Sequence, residues 1–188
     1  MIAAAETSSK EIERAARSIH PGDWAVEQRQ PIATLLGSCV AVCLYDPTLG
    51  LAGMNHFLLP DGCDSSARYG VHAMELLINE LMKRGATRST LEAKVFGGGQ
   101  VIAGMNTMNV GQRNTEFVLD YLKTERIPVV SKDVMDVYPR KVCFLPHCGK
   151  AMVKRLSPTN AEALVAQDRA AAQKPVPPSS GAGSVDLF

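Results

Sequence analysis

Aromatic residues are scarce in this 188-residue chain, 5% in all with a single Trp, so its core has to be aliphatic, with eight Met filling irregular gaps. Net charge is scarce as well. Twenty Lys and Arg against 19 Asp and Glu leave +1, which argues against a nucleic-acid partner held by bulk positive charge. No apolar run approaches the ~20 residues of a membrane span, and the opening MIAAAETSSKEIERAARS carries no basic leader, so neither membrane insertion nor a secretory signal is expected. None of the five Cys (39, 43, 63, 143 and 148) forms a C-x-x-C, and the odd count would leave one thiol over in any full disulfide scheme. These absences point to the cytoplasm, with reduced thiols.

Cofactor signals are missing too. Gly97-Gly98-Gly99 follows a strand-like run but lacks both the Gly-Lys-Ser/Thr ending and the G-x-G-x-x-G spacing of phosphate loops. Close backbone packing is the better reading of it. Cys143-x-x-x-His147-Cys148 offers three metal-type ligands and no fourth nearby. No cofactor and no metal are expected.

What is present is a 46% hydrophobic composition, enough for a globular core, and a length of about one domain plus a tail. Residues 1–20 are polar and Ala-rich, an extension with a weak helical period, ended by His20-Pro21-Gly22. Runs at 32–36, 39–45, 51–59, 91–96, 127–130, 141–145 and 151–153 read as strands, the second and third joined by a hairpin turn at 46–50. Residues 64–84 form the clearest amphipathic helix, with Asp64 or Ser65 as cap and Gly85 as stop. Asn114 is placed to cap a second helix carrying Phe117, Val118, Tyr121 and Leu122. Thr159-x-x-Glu162 reads as a capping box for a C-terminal helix over 157–174, and the Pro-, Ser- and Gly-rich 175–188 reads as a disordered tail. The domain proper is then 21–156. Strands adjacent in sequence favour an α+β sheet protein.

The chemistry concentrates where Gly37-Ser38 breaks an apolar run and Cys39 follows. A Cys there stands on rigid backbone, beside amide N–H groups that can turn toward a substrate oxygen. A hairpin centred on residue 48 makes His56 a near neighbour of Cys39 on the adjacent strand. At an ordinary pKa of ~8.5 only about 3% of a thiol is ionised near pH 7, and an adjacent imidazolium that lowers it to ~6 raises that to roughly 90%. A third polar group would orient the imidazole. Against this stands the plain alternative of a core thiol and a satisfied strand His. Cys43 lies on the same face as Cys39 and reads as core.

Thr34-x-x-Gly37-Ser38-Cys39-Val40, Tyr45-Asp46, Gly53-Met54-x-His56-x-Leu58-Leu59-Pro60, Glu92–Gly98 and Gly111-x-Arg113-Asn114, in unbroken order from about residue 25 to 155, resemble the CheD family, the chemoreceptor glutamine deamidases of bacterial chemotaxis. The resemblance implies a sandwich of mixed β-sheets with helices packed outside. It also implies a Cys–His–Thr site that hydrolyses receptor Gln side chains to Glu, with Cys39 as nucleophile and His56 as base. The family Thr stands six residues before the Cys, where this chain has Ala33 and Thr34 comes one residue later. Thr34 takes that role if a local irregularity turns its side chain back to the site; otherwise the orienting group is missing.

Implied partners are methyl-accepting chemotaxis receptors, whose cytoplasmic parts are helical coiled coils, and a CheC-type phosphatase. A coiled-coil substrate suggests an open, shallow cleft. Two other classes stay open. One is a non-catalytic adaptor for receptor or phosphatase, motivated by Ala33, and the other is a transglutaminase that passes the thioester to an amine. Leu187 and Phe188 at the chain end read as a frayed terminus or as anchors of a docking peptide.

Overall fold

The computed structural model describes residues 2–59, 63–101 and 108–157, together with Ala163, Leu164, Ala166 and Ala170. The tail at 175–188 and most of the expected C-terminal helix lie outside the described residues; the four isolated positions are helical.

Two long apolar runs decide the architecture. Val40–Asp46 (β4) and Leu51–Phe57 (β5) are buried almost throughout, whereas a strand with one wet face would alternate. Both their faces must therefore be covered. They pair antiparallel in the centre of a sheet ordered β2-β5-β4-β6-β7, completed by Trp24–Glu27 (β2), Glu92–Gly97 (β6) and Val129–Val134 (β7). One face packs against Cys63–Lys83 (α2) and Met108–Thr124 (α3), with Val42, Leu44, Phe57, Met74, Leu77, Leu81, Val118 and Leu122 in that layer. The opposite face meets a second sheet, ordered β1-β3-β8-β9. It consists of Arg17–Ser18 (β1), Ile32–Leu36 (β3), Arg140–Leu145 (β8) and Lys150–Arg155 (β9). Ile32, Leu36, Val142 and Phe144 from this sheet close on Ala41, Cys43, Ala52, Met54 and Phe96 from the first. A parallel pair in each sheet, β1 with β3 and β6 with β7, makes both mixed. The expected α+β sandwich with helices outside is the fold.

Several boundaries differ, each for a local reason. Residues 17–19, read as part of the N-terminal extension, run along β3, and Ile19 is buried between the sheets. Ile2–Ala15 (α1) precedes them, tied to β8 by Glu13 Oε2 and Lys141 Nζ at 2.6 Å. The helix expected to start at Asn114 begins at Met108, so Asn114 is interior and no cap. Helix α2 likewise already starts at Cys63, ahead of Asp64 and Ser65. β7 extends through the polar Ser131-Lys132-Asp133 because it is an edge strand with a largely exposed surface.

Asp46 and Arg140 are both deeply buried charges. Arg140 has 0% exposure; its guanidinium donates to Asp133 Oδ1 at 3.0 and 3.1 Å, to Met135 O at 2.6 Å and to Tyr138 O at 3.0 Å. Burial raises the Asp133 pKa, but the hydrogen bonds from Arg140 and Arg155 outweigh it and hold the carboxyl below its ordinary value. Arg140 thereby folds 133–138 back on the sheet edge, with Met135 and Asp136 at positive φ. The substitution Arg140→Met should lower the unfolding free energy by about 3 kcal/mol, since it strands two carbonyls and leaves the Asp133 carboxylate with only the exposed Arg155. Urea denaturation checks this, and a loss below about 1 kcal/mol would show that water satisfies those groups.

Candidate active site

The chain changes sheets at Gly37-Ser38-Cys39, between β3 in one and β4 in the other. This crossover settles the position of Thr34. Along β3 Leu35 faces solvent, while Ile32 and Leu36 face the opposing sheet, and Thr34 shares their side. The register of β3 on β8 runs without interruption from Ile32 to Leu36, so no irregularity in the strand is needed. Counting alternate residues from Cys39 back to position 34 fails because the intervening chain is not one continuous strand. Ala33, on the other side of β3, pairs with Cys143.

Thr34 Oγ1 lies 2.7 Å from His56 Nδ1 and 2.8 Å from the carbonyl oxygen of Ile19. A hydroxyl has one proton. Spent on the Ile19 carbonyl, it leaves the Thr34 oxygen to accept from Nδ1–H, which places the His56 lone pair on Nε2. That nitrogen is buried with no hydrogen-bond partner among the described residues. The backbone of His56 is also bracketed: its N–H donates to Asp23 O at 3.0 Å and its carbonyl accepts from Gly22 N at 2.8 Å. The Asp23 carboxylate closes that turn by accepting from His20 N at 2.9 Å.

In the hairpin His56 stands opposite Ala41, one pair away from the expected register. Cys39 lies diagonally from His56 on the same face, the one lined by Ala41 and Cys43. Cys39, His56 and Thr34 have exposures of 0, 2 and 4%, so the three are closed in rather than set in an open, shallow cleft. Burial pushes the His56 pKa from 6.5 down to about 3, with His20 adding to the effect. The resting imidazole is therefore neutral. This replaces the expected imidazolium beside the thiol: desolvation of a buried ring outweighs what a neutral hydroxyl partner returns. Burial raises the pKa of Cys43 strongly and that of Cys143 to about 11, which suits inert core thiols.

The crossover is held from outside by two elements. Gly98 N donates to Cys39 O at 2.7 Å and Gly99 N to Gly37 O at 2.8 Å. Gly97 and Gly98 have positive φ, and a Cβ at Gly97 would overlap the Cys39 carbonyl. Close backbone approach is what the glycine run provides. Asn114, with 0% exposure, donates through Nδ2 to Ser38 O at 2.9 Å and accepts at Oδ1 from Leu59 N at 3.0 Å. Its neighbour Arg113 donates to Leu59 O at 3.1 Å. Tyr69 of α2 is close enough that the charge of Cys39 adds to burial in raising its phenol pKa. The roles of Asp23 and Tyr69 carry no sequence signal, while Asn114 stood in a noticed Arg-Asn pair without its target. Among the described residues no cluster of His, Cys, Asp and Glu is placed to hold a metal, and no helix is long and apolar enough to cross a membrane.

The chain has relatives among known proteins. A family model described as CheD chemotactic sensory transduction matches residues 58–155. A probable chemoreceptor glutamine deamidase CheD 1 from Albidiferax ferrireducens is 55% identical, covering 89% of this chain and 73% of that protein. One of the same name from Shewanella oneidensis is 54% identical, over 78% and 75%. A probable chemoreceptor glutamine deamidase CheD from Thiobacillus denitrificans is 51% identical, over 90% and 88%. The solved Bacillus licheniformis hypothetical protein YfiH aligns with a TM-score of 0.40 and 12% identity, over 65% of this chain and 58% of that one. With half or more of its residues shared with these CheD proteins over most of its length, the chain belongs to the CheD family.

Proposed function

We propose that this protein deamidates glutamine side chains of chemoreceptors, hydrolysing the carboxamide to a carboxylate through a thioester on Cys39. The observation that carries the reading is the buried Thr34–His56 pair, with the vacant Nε2 on the face that Cys39 shares. Nε2 takes the Cys39 proton as the sulfur attacks the Gln carboxamide carbon, and the carbonyl oxygen becomes an oxyanion facing backbone N–H groups of the Ser38-Cys39 crossover. The imidazolium, held through Nδ1–H by Thr34, gives that proton to the nitrogen, which leaves as ammonia. Water then adds to the thioester, losing a proton to Nε2, and the tetrahedral adduct collapses to Glu with the thiol reprotonated. No cofactor enters.

A neutral resting imidazole makes His56 a general base in the attack step. The closed site requires a Gln side chain to gain entry before the first step. The substrates in this reading are methyl-accepting receptors in the cytoplasm, met along their coiled coils, with a CheC-type phosphatase as a second partner on family grounds. The adaptor alternative rested on Ala33 leaving His56 without an orienting group; Thr34 against Nδ1 removes that motive.

Peptide mass spectrometry of a Gln-containing receptor cytoplasmic fragment tests the reading. Gln-to-Glu conversion should occur with wild type and vanish with Cys39→Ala, and His56→Gln should slow it by on the order of 10²-fold or more. Thr34→Val should cost about tenfold in kcat, the worth of one hydrogen bond, while Thr34→Ser retains most of it. Wild type that binds a cognate fragment without converting any Gln would overturn the deamidase, and an amine-linked product would point to acyl transfer.

The depressed His56 pKa generates a separate expectation. Between about 3 and 6.5 the unfolded chain binds this proton and the folded chain does not, so stability falls as pH falls through that window. From pH 7 to pH 5 the group should remove about 2 kcal/mol of unfolding free energy, a slope that His56→Gln abolishes. Equal pH slopes in wild type and variant would show that His56 titrates normally.

A further inference from the structure

We propose that Asn114 is a positioning residue for the hydrolysis, setting the Ser38–Cys39 peptide so that the Cys39 N–H faces the oxyanion; this rests on the deamidase reading above. Helix α3 lies on the helix-covered face of the five-stranded sheet, whereas Cys39 belongs to the layer between the sheets. Asn114 draws the Ser38 carbonyl toward α3 through its Nδ2–H. The described chain has no cis peptide bond, and in a trans peptide the N–H points opposite to the carbonyl. The Cys39 N–H is therefore turned away from α3, toward the side on which Cys39 and His56 lie.

The neighbouring peptides leave no slack. Gly37 O and Cys39 O are taken by Gly99 N and Gly98 N. The glycine segment is fixed in turn, because Gly97 O accepts from Met135 N and Gln100 N donates to Asp136 O. Three successive carbonyls are thus tied from outside, the middle one by a side chain. Position 114 must also accept from Leu59 N at its other end. A hydroxyl donates and accepts from one atom, whereas the Asn amide does so from two separate atoms and so reaches Ser38 O and Leu59 N at once; a carboxylate accepts at both ends, and an apolar residue does neither.

Asn114→Asp isolates the donor. The ionised acid keeps its bond from Leu59 N and cannot donate to Ser38 O, while the protonated acid can. At pH 8 its kcat on the receptor fragment should be lower than wild type by on the order of 10²-fold, with KM within about twofold, and it should recover toward pH 6. Alkylation of Cys39 by iodoacetamide, followed by peptide mass spectrometry, should keep its rate within about threefold, because displacement at that carbon forms no oxyanion. Asn114→Ser, too short to reach Ser38 O, should show the kcat loss without pH recovery. A kcat for Asn114→Asp within about threefold of wild type at pH 8 would overturn the proposal, as would an alkylation rate falling in parallel with kcat. A wild type without conversion would instead sink the deamidase reading itself. In wild-type protein labelled with ¹⁵N, independent of any variant's folding, the Cys39 amide proton should move downfield when propanal forms a thiohemiacetal on Cys39. An unmoved Cys39 amide alongside a shifted amide elsewhere would also overturn the assignment.

Discussion

The hydroxyl of Thr34 is the point on which the site turns. It joins three separate parts of the chain: the carbonyl of Ile19 in the N-terminal segment, its own strand in one sheet, and the ring of His56 in the other. Its single proton is committed to a backbone carbonyl, and that commitment fixes which nitrogen of the imidazole stays bare. A carboxylate there would do more, since its charge would favour the imidazolium. A neutral hydroxyl orients the ring and leaves burial to keep it unprotonated, so orientation and charge are controlled by different features of the fold.

The layers explain why such a site can be both buried and rigid. Sheet-on-sheet packing covers one side of β4 and β5 and helices cover the other, so the crossover between the sheets runs through a region with little water to satisfy its peptides. The glycine segment and Asn114 supply those partners. Arg140 extends the same logic to the sheet edge, since its guanidinium holds the 133–138 segment, whose Met135 and Asp136 bond Gly97 and Gln100.

Much of this was legible in the sequence, and the exceptions have physical causes. The apolar runs of β4 and β5 read as strands, and the 46–50 turn gave their pairing to within one residue. β2 was missed because Trp24–Glu27 is four residues of ordinary composition at a sheet edge. The start of α3 was missed because Gly111 reads as a loop signal; its lack of a side chain serves the approach to Gly98 instead. Thr34 was counted as misplaced because alternation holds only along a continuous strand, and a change of sheet resets it. The neutral state of His56 depends on burial from several elements, which no local pattern encodes.

The strand that carries Thr34 has hydrogen-bonded neighbours at Arg17–Ser18 and at Arg140–Leu145, close to opposite ends of the domain. On the ribosome Cys39 and His56 emerge early and pair in a local hairpin, yet β3 has no antiparallel neighbour until about a hundred further residues have been made. Until then β3, which carries the Thr34 hydroxyl, has only the two-residue β1 beside it. The topology thus leaves the Thr34–His56 contact without its full sheet support until the last stages of synthesis, when β8 can close on β3.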